Sequence, residues 1–144
     1  MKNYLRVEQA GGLEMETKVG FIGCGNMGTA MIRGMLSSGK CNKEQMMASN
    51  KSQSSRERNE KLLGIKMTCD NIEVAKFADV LFLAVKPQYY EEVIEEIKNV
   101  VTDNQIIVTI APGKTIEWLY DKFGKTVKVI RTMPNTPAMV MEGM

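Results

Sequence analysis

The feature that most constrains the fold is a glycine-rich hexapeptide that stands between two apolar patterns of different period: Gly23-Cys24-Gly25-Asn26-Met27-Gly28. The run before it, 19–22, is continuously apolar or small, as in a buried strand. After it, apolar or small residues recur at spacings of three and four, which predicts a helix with one face on a core. They are Met27, Ala30, Met31, Gly34 and Met35. The hexapeptide is therefore predicted to be a tight strand-to-helix turn.

The rest of the chain repeats this alternation of strand and helix. Short apolar runs predict strands at 45–49, 65–68, 80–85, 106–111 and 127–130. Longer patterns predict helices at 54–63, at 71–77, from Pro87 onward, and at 116–123. The runs 80–85 and 106–111 are apolar without alternation, which indicates burial on both faces, as in a parallel sheet covered by helices. Lys128 interrupts the last run, as an edge strand allows.

These patterns predict the α/β class. The expected architecture is a Rossmann-type, doubly wound, mostly parallel sheet of about six strands within three α/β/α layers. Residues 1–14 lack this periodicity and any apolar signal core, and Met15 follows them directly. We interpret 1–14 as a leader or extension and 15–144 as one dinucleotide-binding domain.

Composition excludes several kinds of chemistry. The 144 residues include no histidine, so the usual Ser-His-Asp and Cys-His catalytic units and His-based zinc sites cannot form. The three cysteines are far apart and odd in number, which fits a reducing cytoplasmic compartment. A net charge of +2 gives no electrostatic footprint for nucleic acid, and no apolar run is long enough for a membrane span. Chemistry is therefore expected to come with a bound cofactor, and no metal site is predicted.

The context of the glycine motif predicts dinucleotide binding, because GxGxxG follows a strand and opens an amphipathic helix. Gly23 would permit the turn, Gly25 would let a pyrophosphate approach the backbone, and Gly28 would let helix and strand pack closely. Free N–H groups at the helix start would bind the phosphates.

The end of the second strand predicts which cofactor is preferred. NAD-binding folds carry an acidic residue there, for the ribose hydroxyls. The stretch 48–52 has no carboxylate, and it offers Ser49, Asn50 and Ser52 as donors and Lys51 as a cation. With Arg56 as a second cation, this favours NADP(H) over NAD(H), although NAD(H) stays open.

Other candidate residues end the fourth and fifth strands. Lys86 precedes a proline, is biased to an extended conformation, and is as well explained by a solvated lysine as by a ligand role. The small residues of 110–113 would let a nicotinamide ring lie against backbone. Cys24 stands at a helix N-terminus, but without a histidine we interpret it as a small residue that fills the loop.

Three segments resemble pyrroline-5-carboxylate reductases. They are the run 19–28 (VGFIGCGNMG), the run 79–88 (DVLFLAVKPQ) and the run 131–138 (RTMPNTPA), with Glu142-Gly143 after them. The resemblance implies reduction of the C=N bond of 1-pyrroline-5-carboxylate to give proline, the last step of proline biosynthesis. NAD(P)H would deliver the hydride from C4 of its nicotinamide.

The resemblance also implies positions for the cofactor and substrate. Cofactor contacts would fall on Ile22, Gly23, Cys24, Gly25, Asn26, Met27, Ser49, Asn50, Lys51, Asn71, Ala84, Val85, Lys86, Pro87, Thr109, Ile110 and Ala111. Asn135 and Thr136 would lie near the nicotinamide and substrate, and no catalytic residue is assigned. Pro112 and Gly113 make the fifth strand's end more constrained than in many members.

The family continues into a helical carboxyl-terminal domain that forms the homo-oligomer and supplies most of the substrate site. We expect that domain to be absent from this chain, which would then bind dinucleotide with little or no turnover. Two alternatives stay open. The chain could belong to another dehydrogenase, of the β-hydroxyacid type, or it could be a non-enzymatic nucleotide-sensing module.

Overall fold

The computed structural model describes residues 17–132, in which six strands and five α-helices alternate along the chain. The strands are β1 (Val19–Ile22), β2 (Met46–Ser49), β3 (Lys66–Thr68), β4 (Val80–Leu83), β5 (Ile106–Thr109) and β6 (Lys128–Arg131). The helices are α1 (Asn26–Ser37), α2 (Gln53–Leu63), α3 (Asn71–Phe77), α4 (Tyr90–Ile97) and α5 (Ile116–Phe123). Turns of 3-10 helix precede β2 at Lys43–Gln45 and α4 at Pro87–Tyr89. The expected leader, 1–14, lies outside the described residues.

All six strands form one parallel sheet in the order β3-β2-β1-β4-β5-β6. β1 lies in the middle, where Val19 is opposite Met46 of β2 on one side and Val80 of β4 on the other. The order reverses direction between β1 and β4, as in doubly wound folds. The predicted fold class is confirmed, and β6 is an edge strand as expected.

Helices cover both faces of the sheet. Phe21 packs in a cluster with side chains of α1 and α2, and its ring stacks on that of Phe82 in the neighbouring strand, with 4.4 Å between centroids. Ile22, the next residue, belongs to a second cluster with side chains of α3, α4 and α5. Because successive strand residues point to opposite faces, both clusters draw on every central strand. This is the three-layer arrangement that the unbroken apolar runs predict.

Helix ends follow the capping residues in the sequence. The Ser52 hydroxyl accepts a hydrogen bond from Ser55 N at 3.3 Å, and the Thr115 hydroxyl accepts one from Trp118 N at 3.0 Å. Gly64 and Gly124 end α2 and α5 in the left-handed conformation, where a Cβ is unfavourable. Among residues 17–132, no helix combines the length and the apolar character needed to cross a bilayer.

Several predicted boundaries shift by one to three residues. β4 and β5 were expected to continue to Val85 and Ala111, but they end at Leu83 and Thr109, because the chain turns at the carboxyl edge of the sheet. β2 begins at Met46, since Asn42 and Gln45 form a reciprocal capping box around a 3-10 turn. The helix expected from Pro87 likewise begins with a 3-10 turn.

The close packing of α3 on β1 depends on the absence of a side chain at Gly20. A Cβ there would lie 2.7 Å from Val74 Cγ1 and 2.9 Å from Ala78 Cβ. Gly20→Ala is therefore expected to lower the free energy of unfolding by about 1–3 kcal/mol, the usual cost of overpacking. Urea unfolding followed by circular dichroism measures the change.

The matched control is Gly25→Ala, because a Cβ at Gly25 meets no atom within 4 Å. Gly25→Ala should lower the free energy of unfolding by less than about 1 kcal/mol, an amount that includes the effect of replacing the N-cap glycine of α1. Equal unfolding free energies for the two variants would contradict the packing described for Gly20.

Candidate functional site

The candidate site lies at the carboxyl edge of the sheet, where β1 and β4 diverge. In open α/β sheets, ligands bind in the crevice at such a reversal of strand order. The structure brings to this edge the glycine loop 23–25, the loop 50–52 after β2, the segment 84–87 after β4 and the residues 110–111 after β5. These are the segments that the sequence predicts to meet.

The three glycines of the motif 23–28 have three different environments. Gly23 has a φ of 95°, and a Cβ on it would lie 2.8 Å from both Val85 N and Val85 Cγ1. A Cβ on Gly28 would lie 3.1 Å from the Gly23 carbonyl oxygen. Gly25 is exposed, and the space where its Cβ would stand is open. The loop therefore has a closed side against β4 and an open side at Gly25.

The open side faces the start of α1. The first backbone N–H groups of any helix have no partner within it, and they carry a partial positive charge. At α1 no side chain caps these groups, and the first turn holds no acidic residue. Thr29 N donates to Gly25 O at 2.8 Å, so the helix is regular from its first turn. The arrangement is suited to receive an anion.

Two asparagine amides hold the loop from behind. Asn50 Nδ2 and Asn59 Nδ2 both donate to the Cys24 carbonyl oxygen, at 3.1 and 3.0 Å. Asn59 is buried on α2, and the sequence analysis did not identify it, because a single asparagine in a polar helix carries no local signal. Since the Cys24 carbonyl is turned inward, it does not point toward an anion on the open side.

The Cys24 thiol is not suited to nucleophilic chemistry. It is buried, and its Sγ lies 3.5 Å from Thr29 Oγ1. Burial raises the pKa of the Cys24 thiol above its ordinary value, although the hydrogen bond with Thr29 opposes the shift. The thiol therefore stays protonated near neutral pH, in agreement with its interpretation as a residue that fills the loop.

Ser49 and Asn71 form a buried polar chain behind the loop. Ser49 Oγ accepts from Gly23 N at 3.3 Å and donates to Asn71 Oδ1 at 2.6 Å. Asn71 Nδ2 donates in turn to Glu96 Oε1 at 3.0 Å. The chain connects β1, β2, α3 and α4. Ser49, expected as a donor to a ligand, thus has its proton directed into the protein.

The loop after β2 carries one exposed cation. Lys51 Nζ lies 2.9 Å from Glu92 Oε2 and 5.7 Å from the centre of the Tyr89 ring. Its pKa is raised, first by the hydrogen bond to Glu92 and then by the charge of Glu92. Arg56, the second expected cation, donates from one guanidinium nitrogen to the carbonyls of Asn50 and Lys51, both at 2.9 Å. Arg56 therefore shapes the loop that presents Lys51.

The segments after β4 and β5 provide the other end of the site. Ala84 and Val85 are half-buried, whereas Lys86 and Pro87 are exposed. Lys86 has the extended backbone that a following proline favours, with φ −62° and ψ 150°. On β5 and just after it, Thr109 and Ala111 are buried and Ile110 is half-buried. Asn135 and Thr136, expected near the substrate, lie outside the described residues.

A shallow cleft of about 260 Å³ lies beside the glycine loop, between α1 and α2. Its lining includes Gly25 and Asn26 of the loop, with Arg33 and Arg58 on the helices. Within residues 17–132, no group of three or more Asp, Glu or Cys residues is arranged to hold a metal ion. The described part of the site therefore offers backbone amides, polar side chains and cations.

Known proteins are similar to this chain in sequence. Residues 18–113 match the sequence model of a family described as NADP oxidoreductase, coenzyme F420-dependent. The chain is 40% identical over 130 residues to the pyrroline-5-carboxylate reductase of Escherichia coli (strain K12), a match that covers 90% of the chain and 48% of the relative.

Solved structures of similar proteins superimpose on this chain. A pyrroline-5-carboxylate reductase from Coxiella burnetii superimposes with a TM-score of 0.80 at 32% identity, over 86% of this chain and 46% of that one. The Plasmodium falciparum pyrroline carboxylate reductase, solved with NADP bound, superimposes with a TM-score of 0.75 at 29% identity, over 87% and 45%. The chain spans about half the length of the relatives it matches. Over that half, the expected resemblance is confirmed.

Proposed function

Because the chain belongs to the family described as NADP oxidoreductase, coenzyme F420-dependent, we propose that it binds NADP(H) at the carboxyl edge of its sheet. We propose further that it is the cofactor-binding part of a pyrroline-5-carboxylate reductase. The observation that carries the proposal is the open side of the glycine loop, where nothing within 4 Å fills the place of a Gly25 side chain. Names of the relatives favour this activity over a β-hydroxyacid dehydrogenase or a nucleotide sensor.

The glycine loop would hold the pyrophosphate. The backbone at Gly25 and the N–H groups at the start of α1, from Asn26 and Met27, would donate to it. Ile22, Gly23 and Cys24 would form the floor of this cradle, with Cys24 O kept away by Asn50 and Asn59. Asn71 would support the adenosine end through Ser49.

The loop after β2 would bind the 2′-phosphate of NADP(H). Lys51 is exposed, and no carboxylate of its own loop opposes a phosphate. Glu92 reaches the same ammonium group from α4, so a bound phosphate would compete with it for Lys51. An exposed ion pair contributes little, and a phosphate monoester carries about −1.5 to −2 charge at neutral pH against −1 for the carboxylate, which favours the phosphate.

The segments 84–87 and 109–111 would bind the nicotinamide half. Ala84, Ala111 and the backbone of Ile110 leave room for a flat ring, and Lys86 and Pro87 would border it on the solvent side. When bound, NADPH supplies a hydride, which in the proposed reaction goes to the C=N carbon of 1-pyrroline-5-carboxylate while the nitrogen gains a proton. Asn135 and Thr136 are proposed to lie near that substrate.

Recognition of the substrate carboxylate and homo-oligomer formation are proposed to depend on the part of the relatives that lies beyond the matched half, a helical domain in the resembled family. Residues 15–144 would then be one NADP(H)-binding domain. We also propose a cytoplasmic location, which the three free cysteines support.

Binding of NADPH should depend on the open space at Gly25. Gly25→Ala is expected to weaken NADPH binding at least about tenfold, or ~1.4 kcal/mol, because its methyl group would occupy the approach of the pyrophosphate. Isothermal titration calorimetry measures the Kd. Ser37→Ala, at the other end of α1, is the matched control and should bind as the unmodified chain does. An unchanged Kd for Gly25→Ala would show that the pyrophosphate does not cross this loop.

Changes at Lys51 and Glu92 should alter cofactor preference in opposite directions. Lys51→Met is expected to weaken NADPH binding by about tenfold and NADH binding by less than about twofold, because only NADPH has the 2′-phosphate. Glu92→Gln should strengthen NADPH binding by about two- to fivefold at low salt, since it frees the ammonium group of an exposed ion pair. That gain should disappear at high salt. Equal effects on NADH and NADPH would contradict the role of Lys51.

The reductase activity is tested with the product of the whole reading frame that encodes this chain. With 1-pyrroline-5-carboxylate and NADPH, we expect one proline formed for each NADPH consumed, and a loss of that activity in the Gly25→Ala variant. The 144-residue chain alone should bind NADPH and form little or no proline. Proline formation by the isolated chain would contradict the proposed division of roles. Reduction of NADP+ by β-hydroxyacids, without NADPH consumption in the presence of 1-pyrroline-5-carboxylate, would contradict the substrate.

A further inference from the structure

The hydroxyl group of Tyr90 joins two strands at the carboxyl edge of the sheet. Tyr90 is the first residue of α4, and its side chain is fully buried. The hydroxyl donates a short hydrogen bond to the Leu83 carbonyl oxygen at the end of β4. It accepts from Thr109 Oγ1 at 3.0 Å and from Ile110 N at 3.3 Å, at the end of β5. One donor and two acceptor positions are all that a phenol has, so its hydrogen-bonding capacity is fully used.

These bonds lie where the pairing of β4 and β5 stops. The last paired residues of the two strands are Leu83 and Thr109. Just beyond this pair, the Tyr90 hydroxyl stands between the Leu83 carbonyl and the Ile110 N–H, two groups of the kind that bond each other directly in a continuing ladder. The inserted oxygen atom therefore replaces a ladder bond and holds the two strand ends apart.

Thr109 extends this network across the edge. Its hydroxyl also accepts from Ala111 N at 3.4 Å, and its carbonyl accepts from Thr132 N at 2.9 Å, just after β6. Burial raises the pKa of the Tyr90 phenol above its ordinary value, although its bonds to Thr109 and Ile110 oppose the shift. The phenol therefore keeps its proton through neutral pH and can donate it to the Leu83 carbonyl oxygen.

We infer that Tyr90 is a positioning residue for the nicotinamide half of the cofactor, because its hydroxyl sets the gap between the ends of β4 and β5. This inference rests on the proposed function, in which 84–87 and 109–111 bind that half. Tyr90 itself is fully buried and does not touch the cofactor. The role belongs to the hydroxyl and not to the ring, since a phenylalanine would fill the same core volume. Without the hydroxyl, an unchanged gap would leave buried polar groups unpaired, which favours closure of the two strand ends on each other.

The test compares two ligands on the 144-residue chain. NADPH carries the nicotinamide half, whereas adenosine 2′,5′-bisphosphate carries only the adenosine half with its 2′-phosphate. Tyr90→Phe is expected to weaken NADPH binding by about five- to tenfold and to leave the bisphosphate Kd within about twofold, because the hydrogen bonds that are lost all lie at the nicotinamide end. Tyr120→Phe, a half-buried tyrosine on α5, is the matched control and should change neither Kd.

The ratio of the two Kd values separates positioning from folding, since a partly unfolded variant would lose affinity for both ligands equally. Equal weakening of both, or no change in either, would overturn the role of Tyr90. Thr109→Val removes the neighbouring hydroxyl, which is bonded to Tyr90 and is buried, so that it does not reach the cofactor. If Tyr90→Phe does not fold, the same selective loss in Thr109→Val, with unchanged binding in Thr109→Ser, would support the inference, and an equal loss for both ligands would overturn it. Failure of the unmodified chain to bind either ligand would overturn the proposed function instead, and the positioning role with it.

Discussion

The contact between Gly23 and the backbone of Val85 is the constraint on which the site depends. β1 pairs in parallel with β4, and only three residues separate the end of β1 from the start of α1, so the chain must turn at once. Gly23 has a φ of 95°, and a Cβ on it would lie 2.8 Å from the main-chain nitrogen of Val85. Only glycine fits both conditions. This close approach closes the loop on the side of Val85, whereas the space beside Gly25 is open.

Behind this contact, side-chain hydrogen bonds hold the loop. Two asparagines bind one carbonyl oxygen, and Ser49 passes a hydrogen bond from Gly23 to Asn71 and on to Glu96. Among the described residues, no buried side-chain polar atom lacks a partner. Because unpaired polar groups are costly in a core, such a network is rigid. The glycine loop is thus pre-formed, and binding of the proposed pyrophosphate would cost little reorganisation.

Local sequence patterns predicted much of the fold. The bounds of β1, α3 and α5 agree with the sequence analysis, since each is defined by a continuous apolar run or a capped helical stripe. The turn at Gly23 was predictable because the glycine motif stands between a strand pattern and a helix pattern. The ends of β4 and β5 were placed two residues too late, because Val85 and Ala111 are apolar although they lie beyond the ladder.

Contacts between residues far apart in the sequence could not be predicted in this way. The Lys51–Glu92 pair joins residues 41 apart, and Asn59 reaches Cys24 across 35. Tyr90 lies in a segment that was predicted to be helical, yet nothing in its own neighbourhood indicates that its hydroxyl ends the pairing of two strands elsewhere in the chain. Such roles arise only when the topology brings distant segments together.

The strand order has a consequence for how the molecule assembles itself. Lys18 N donates to Asp79 across 61 residues, at the point where β1 meets β4. The two innermost strands therefore come from opposite halves of the described chain, and the first three strands alone leave one side of β1 without a partner. Chains dominated by such long-range pairing fold slowly, since the entropy of loop closure is lost before the contacts form. During synthesis on the ribosome, the glycine loop therefore cannot make its contact with Val85 until β4 and the residues after it have been synthesised.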